Sequence, residues 1–214
     1  PLLLEDDLAP LRDLMEAKGL TWPDGETSAR FEHEDRSVFN EDSGQPTSVD
    51  FVVKADGRPA IFIEVKLIEN EFGGCSIFTE GDCDGSNPAE DPIRCYLHYI
   101  GRRHWTLMER HGLVDDSLRQ ERMCVFASHY QFFREFLFAL EHDGSFVLLC
   151  DERNPTFFAD GPHGERGLAA LLRSYLPASL QCRFGVITIQ ELAEMIERSG
   201  RHSWVADFRR KYAL

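Results

Sequence analysis

Residues 47–67 read TSVDFVVKADGRPAIFIEVKL and contain the strongest β-strand signal in the chain. Two apolar runs, rich in β-branched and aromatic side chains, predict strands over 47–55 and 59–67. The dipeptide Asp56-Gly57 between the runs is typical of a hairpin turn. We therefore expect two paired antiparallel strands in this stretch.

Charged residues occupy the end of the second predicted strand, in the sequence Glu64-Val65-Lys66. Because alternate residues of a strand share a face, Glu64 and Lys66 point to one side and Val65 points to the other. Buried charges are costly unless they are paired, so their presence on a buried strand needs a reason. A surface hairpin that carries an ordinary Glu–Lys pair is the alternative interpretation.

The register of the hairpin determines whether Asp50 joins this pair. A two-residue loop places Asp50 opposite Ile63, whereas a three-residue loop, with a bulge at Gly57, places it opposite Glu64. We predict the second register. Two converging carboxylates are suited to Mg²⁺ or Mn²⁺, and a neighbouring lysine orients a water or stabilises developing negative charge. These parts suit metal-assisted hydrolysis of a phosphodiester.

Hydrophobic periodicity outlines the rest of the chain. It predicts a helix over 5–18, an edge strand over 29–35, helical structure over 94–112, a helix beginning at Ser128, a strand over 145–150, a helix over 165–176, a strand over 184–189 and two final helices. Capping boxes are predicted at Ser128-His129-Tyr130-Gln131 and Thr188-Ile189-Gln190-Glu191. We expect Trp204, Phe208 and Tyr212 to form the buried side of the last helix. This order is that of a mixed α/β domain.

The motif Thr47-Ser48-Val49-Asp50, followed after 13 residues by Glu64-Val65-Lys66, resembles the PD-(D/E)XK, or restriction-endonuclease-like, nuclease superfamily. The superfamily core is a helix, three strands, a helix and a strand (αβββαβ), and residues 5–151 match that order. Asp50 follows a valine rather than the proline of the pattern, which the superfamily tolerates. Three further stretches resemble a bacterial branch of this superfamily: Arg103-His104-Trp105, Tyr130-Gln131 and residues 146–155.

The resemblance implies a fold and an organisation of the chain. It implies an α/β fold with a restriction-endonuclease-like core, a mixed sheet flanked by helices, in one nuclease-like domain over 1–214. The parts are a core over 5–67 and 128–151, an insertion over 68–127 and a C-terminal helical extension over 152–214. A segment often precedes the position of Pro1 in the related branch, so we expect the natural start to be truncated.

The resemblance also implies roles for particular side chains. Asp50 and Glu64 would be ligands of Mg²⁺ or Mn²⁺, and Lys66 would be the catalytic lysine. Gln131 matches a glutamine that some relatives place on the helix after the sheet, where it faces the site. The family often adds an upstream acid, for which we prefer Glu32, with Glu34 and Glu16 as alternatives.

The segment between the third strand and the Ser128 helix holds four of the six cysteines, at Cys75, Cys83, Cys95 and Cys124. Thiolates that meet at one point bind Zn²⁺ tetrahedrally or an iron–sulfur cluster, and either would stabilise the insertion. Because the spacings are not CxxC, separately buried thiols are the alternative interpretation.

The formal net charge of −14 argues against a protein that binds nucleic acid by bulk positive charge. The acidity is concentrated in residues 1–46 and 67–93, whereas Arg94–Arg134 contains seven arginines and four acidic residues. Tyr99 and Trp105 in that region offer stacking faces for bases. We expect nucleic acid, DNA rather than RNA, to bind there, with a possible contribution from a protein partner. The alternative function is a non-catalytic, nuclease-like scaffold or partner-binding module with a structural metal bound by the cysteines.

The longest apolar runs fall far short of the roughly 20 residues that cross a bilayer. No signal peptide is visible, and the cysteine content is too low for a disulfide scaffold. We therefore expect a cytoplasmic protein with reduced thiols and no membrane partner.

Overall fold

The computed structural model describes residues 2–56, 60–160, 167–200 and 202–214. These residues form a five-stranded sheet with helices on both faces, which confirms the predicted α/β class. The strands are β1 (Thr27–Glu34), β2 (Ser48–Ala55), β3 (Ile61–Lys66), β4 (Ser145–Cys150) and β5 (Phe184–Thr188). The helices are α1 (Ala9–Ala17), α2 (Ser76–Thr79), α3 (Tyr96–Tyr99), α4 (His104–Arg110), α5 (Asp116–Gln120), α6 (Val125–Glu141), α7 (Pro155–Phe158), α8 (Leu168–Ser174), α9 (Ile189–Arg198) and α10 (Trp204–Tyr212).

The sheet is mixed, and its strands lie side by side in chain order. Strands β1, β2 and β3 pair antiparallel, whereas β4 runs parallel to β3 and β5 runs parallel to β4. A parallel neighbour requires a long crossover, and the segment from β3 to β4, which includes α6, provides it. The order helix, three strands, helix, strand is therefore confirmed. The extension after β4 is not purely helical, because it adds β5 to the sheet.

The register between β2 and β3 is the predicted one. Phe51 pairs with Ile63 and Val53 pairs with Ile61, so the same register places Asp50 opposite Glu64. The predicted turn at Asp56-Gly57 lies partly outside the described residues, and β3 begins at Ile61 rather than at position 59.

Each face of the sheet is covered by its own apolar cluster. One cluster joins α6 to Phe62 of β3 and Leu148 of β4, and the other joins α1 and α9 to Ile63 and Val147. The central strands are therefore buried on both sides, which is usual for the parallel part of a sheet. Glu64, with only 5% of its surface exposed, faces the α6 side among these apolar residues.

Helix α6 begins earlier than its sequence pattern predicts. A first helical turn begins at Val125, ahead of the predicted start, and the capping box predicted at Ser128 is wrong, because Gln131 N–H donates to Gly73 O (3.2 Å). The backbone N–H of Cys124 donates to Gly85 O (2.8 Å), which fixes the extended residue immediately before the helix. Non-helical dihedral angles at His129 (φ −132°, ψ 36°) interrupt the helix where the pattern placed its first turn.

The predicted N-terminal helix is divided in two. A 3₁₀ segment covers Leu2–Leu8, and α1 begins only at Ala9, with a proline in its first turn. The edge strand predicted over 29–35 is confirmed by β1, which lies at one end of the sheet. The helical structure predicted over 94–112 consists of a 3₁₀ turn at Pro92–Arg94 followed by α3 and α4.

The C-terminal elements follow their predictions with one correction. Residues 161–166 lie outside the described residues, so the helix predicted over 165–176 is described only as α8. The capping box at Thr188 is present. In α10 the buried side chain is Val205, whereas Tyr212 is 49% exposed, so the predicted buried stripe is wrong at its end. The helix packs on α9 through its first turn, which leaves its last turn at the surface.

Candidate active site

Three predicted site residues meet where β2 and β3 separate. The described pairing of these strands ends at Phe51 and Ile63, and the Asp50 carboxylate then accepts a hydrogen bond from the backbone N–H of Val65 (2.9 Å). On the same face, Lys66 Nζ lies 3.2 Å from Glu64 Oε1. Both side chains of this ion pair are largely buried, since Lys66 is 12% and Glu64 is 6% exposed. The pair is therefore an internal one and not the ordinary surface pair of the alternative interpretation.

Helix α6 brings Gln131 to this group. Its amide Nε2 donates to Glu64 Oε1 (2.7 Å) and to Glu135 Oε1 (2.8 Å). The structure thus unites Gln131 with Glu64, as the sequence predicts.

Glu135 is a site residue that the sequence reasoning missed. It is completely buried, and among the described residues its second oxygen, Oε2, has no hydrogen-bond partner. A signal was present in the sequence, because Glu135 follows Gln131 by one helical turn within an otherwise apolar stretch. A single acid in such a stretch requires a polar partner on the element that the helix covers.

The carboxyl groups of the site disfavour one another's charge. Burial, together with the nearby Asp50 and against the opposing effect of Lys66, raises the pKa of Glu64 to about 7. Burial also raises the pKa of Asp50, and Glu32 adds to that effect. The pKa of Glu135 lies well above its ordinary value, because this group is fully buried and lies close to Glu64. Such a group of carboxyls has a strong electrostatic demand for a cation.

Glu32 is the upstream acid whose position fits the site best. Strand β1 pairs Phe31 with Phe51 and His33 with Val49, so Glu32 falls opposite Asp50. Its backbone has φ +50°, an uncommon value for a non-glycine residue, and its carboxylate accepts a hydrogen bond from Ser48 Oγ (3.2 Å). The two alternatives lie elsewhere.

Glu34 is opposite Ser48, two positions beyond Glu32 along β1. Glu16 lies on α1, which packs on the other face of the sheet, and its side chain lines a cleft there with Arg12 and Trp22.

The donor set suits a hard cation held by few protein ligands. Among the described residues, no three His, Cys, Asp or Glu side chains are arranged around one point to hold a metal ion. Mg²⁺ does not require such a cage, because it keeps several waters and binds through one or two carboxylates and the phosphates of a substrate. Asp50 and Glu64, on opposed strands, match that requirement.

The four cysteines of the segment between β3 and α6 line a common cavity of about 30 Å³. Cys75 and Cys124 are each 9% exposed, and Cys83 and Cys95 are half-buried. The four residues therefore border one cavity, although no three of the described His, Cys, Asp and Glu side chains meet at one point there.

Two residues of the predicted nucleic-acid surface are not available for binding. Trp105 is 1% exposed and packs in the core, so the prediction that it stacks on bases is wrong. His104 is 2% exposed, and burial lowers its pKa to about 3, so its imidazole is neutral. Tyr99 is 70% exposed and remains available for stacking.

Several arginines of the region Arg94–Arg134 form hydrogen bonds with carboxylates of the same chain. Arg102 donates to Asp42 (2.8 Å), Arg110 donates to Glu141 (2.8 Å) and Arg119 donates to Glu109 (2.9 Å). Arg94 and Arg122 are exposed. The positive surface expected from composition is therefore smaller than its arginine count indicates.

A mixed five-stranded sheet with flanking helices, and with polar side chains where β2 and β3 separate, is consistent with a restriction-endonuclease-like fold. A model of the family described as "Restriction Endonuclease associating with ARP" matches residues 2–213, and the chain belongs to this family. Searches of curated proteins and of solved structures gave no significant match. No described helix is long and apolar enough to cross a membrane.

Proposed function

We propose that this protein is a Mg²⁺- or Mn²⁺-dependent nuclease that hydrolyses phosphodiester bonds of DNA, and less readily those of RNA. The observation that carries the proposal is the buried Glu64–Lys66 pair with Asp50 across the adjoining strand. Membership of a restriction-endonuclease family supports the reaction class and favours DNA as the substrate.

Asp50 and Glu64 are the residues that would hold the cation. When bound, a divalent cation lowers the pKa of a coordinated water and offsets the negative charge that develops on the phosphate. Gln131 holds one oxygen of Glu64 in place through its amide hydrogen bond. Glu32 adds a further carboxylate on the neighbouring strand, on the solvent side of Asp50.

Besides the bound cation, the side chain of Lys66 supplies a positive charge at the site. Its ammonium is held by Glu64 and lies 5.8 Å from the centroid of the Phe72 ring, so its position is restrained from two sides. An ammonium in this position would orient the attacking water and stabilise the charge that develops on the phosphate.

Replacement of Lys66 tests this assignment, because the chain offers a matched control. Lys66→Met keeps the apolar length of the side chain and removes its charge, so we expect kcat for cleavage of linear DNA to fall roughly 100-fold or more. Lys18 forms a second Lys–Glu pair, with Glu191 (2.5 Å), on helices that pack on the opposite face. Lys18→Met should leave cleavage unchanged. Equal activity in both variants would refute the role of Lys66.

Internal pairing of the arginines favours a second candidate, a nuclease-like module that binds a partner without cutting DNA. The family description names association with ARP, and we extend that association to this chain as part of the proposal. In the nuclease interpretation, a partner supplies DNA affinity that the acidic chain lacks. The module predicts no binding of Mn²⁺ at Asp50 and Glu64, so the absence of both Mn²⁺ binding and DNA cleavage would favour it.

A further inference from the structure

Four cysteines, separated by up to 49 residues of sequence, converge on the cavity between α2, α3 and the start of α6. Its wall includes Cys75, Cys83, Cys95 and Cys124, which are all reduced in the structure. The two remaining cysteines lie elsewhere, Cys150 in β4 and Cys182 at an exposed position. The cavity is therefore lined by all the cysteines of the segment between β3 and α6, and by neither of the two remaining cysteines.

Local hydrogen bonds place the cysteines around the cavity. Gly85 N–H donates to Cys83 Sγ (3.4 Å). Phe78 N–H donates to Cys75 O (3.1 Å) and Ala127 N–H donates to Cys124 O (2.9 Å), so these two cysteines immediately precede the first turns of α2 and α6.

The cavity has the size of a single ion. Its volume of about 30 Å³ exceeds the roughly 10–15 Å³ that one water needs, but it is small for a cluster of several iron and sulfur atoms. His104 lines the same cavity, and its buried Nδ1 has no hydrogen-bond partner among the described residues. An open cleft of about 270 Å³ shares Cys83, Cys95 and Cys124 with this cavity and is also lined by Asp82, Asp84 and Arg94.

We propose that Cys75, Cys83, Cys95 and Cys124 bind one structural Zn²⁺ ion in this cavity. Four cysteine ligands are a common closed set for structural zinc. In the described residues the thiols are not yet arranged around one point, so binding includes rotation of cysteine side chains between staggered conformations.

The ion would stabilise a segment that has little regular structure of its own. Helices α2, α3 and α5 have only four or five residues each, too few to be stable in isolation. One ion bound by four residues spread over the segment would link these short helices to one another.

The same ion would support the candidate active site. Cys75 N–H donates to Phe126 O (3.0 Å) near the start of α6, and Gln131 N–H donates to Gly73 O (3.2 Å). These bonds tie the cysteine-bearing segment to the helix turn that presents Gln131 to Glu64. The zinc proposal does not depend on the nuclease proposal, and its tests do not require DNA cleavage.

Elemental analysis of protein purified without chelators tests the proposal directly. We expect about one zinc per chain, and Cys75→Ser and Cys124→Ser should each reduce this by about tenfold or more. Cys182→Ser is the matched control and should retain the ion. Zinc below about one tenth of an ion per chain in the wild type, or iron with acid-labile sulfide in its place, would overturn the proposal.

Thiol reactivity in the wild-type protein provides a test that needs no folded variant. With zinc bound, an alkylating reagent should modify Cys182 but spare the four proposed ligands. Removal of the ion by a chelator should expose all four together and leave the rate at Cys182 unchanged. Equal rates at the four cysteines before and after chelation would contradict the proposal.

Discussion

Gln131 has one amide nitrogen with two hydrogens, and it donates both of them to carboxyl groups. One hydrogen bond reaches Glu64 in the sheet, and the other reaches Glu135 on the same helix. This arrangement fixes the amide plane and directs Oε1 toward Gly73, where a Cβ atom would lie 3.5 Å from it. Glu135 is therefore a positioning residue, which acts on Glu64 through Gln131.

Substitutions of Glu135 should separate this positioning role from simple burial. Glu135→Ala leaves the Gln131 amide without its acceptor, so we expect a loss of about 2 kcal/mol in the free energy of unfolding and a roughly tenfold lower kcat. Glu135→Gln keeps a carbonyl oxygen as acceptor, so its free energy of unfolding and its kcat should both lie close to the wild-type values. Denaturant unfolding and steady-state cleavage measure the two effects.

The positioning account would be wrong if Glu135→Ala and Glu135→Gln lowered kcat equally while only the alanine variant lost stability. That result would mean that the ionisable carboxyl group of Glu135, and not its hydrogen bond to Gln131, affects the reaction.

The strand residues of the site were predictable because their geometry is local. Alternation along β3 places Glu64 and Lys66 on one face, and a short hairpin leaves only two registers for Asp50. Glu135 was not predictable in this way. Glu135 is linked to Glu64 of the sheet through Gln131, and the two glutamates are 71 residues apart in the sequence. Helical spacing alone does not indicate which polar side chain of α6 faces a carboxylate of the sheet.

At the scale of elements, the start of α9 is the boundary that local sequence determines most completely. Glu191 N–H donates to Thr188 Oγ1 (3.1 Å), and Thr188 N–H donates to Glu191 Oε2 (3.0 Å). Both bonds lie within four residues, so the sequence alone predicts the capping box.

Removal of this cap should have a measurable cost. We expect Thr188→Ala to lower the free energy of unfolding by about 1 kcal/mol, because an N–H group at the start of α9 loses its acceptor. Thr106→Ala, at an exposed position inside α4, is the control and should change stability little. Urea denaturation followed by circular dichroism measures both; equal midpoints for Thr188→Ala and the wild type would contradict the assignment.

The start of α6 illustrates why other boundaries were not predictable. Ser128 has the right local pattern, but the helix begins after Cys124, whose N–H is held by Gly85 from the preceding segment. A contact between positions 39 residues apart therefore overrides the local capping preference. The fifth strand is a similar case, because its apolar pattern predicts a strand but not the sheet edge that it joins.

At the scale of the whole molecule, counting charged residues along the sequence does not show how much of the positive charge is exposed. The net charge is −14, and the region Arg94–Arg134 is locally positive by residue count. In the structure, arginines of this region pair with acids from other parts of the chain, including Asp42 and Glu141. Such pairing depends on tertiary structure, so counting charges along the sequence overestimates the basic surface.

The two faces of the sheet divide the molecule by role. The face under α6 carries the Glu64–Lys66 pair, which Gln131 and Glu135 of α6 cover, whereas the face under α1 and α9 is packed with apolar side chains. Fold class, the order of the core elements along the chain and the charged residues of β2 and β3 followed from the sequence. The carboxyl pair bridged by Gln131 and the shared cysteine cavity required the three-dimensional structure.

Cleavage of DNA by the purified chain in the presence of Mn²⁺ tests the central claim most directly. We predict that Mn²⁺ supports hydrolysis of a linear duplex, that chelation by EDTA stops it, and that Glu64→Gln lowers the rate roughly 100-fold or more. Glu194→Gln, on an exposed face of α9, is the matched control and should cut DNA like the wild type. Cleavage that persists in Glu64→Gln, or in EDTA, would contradict the account.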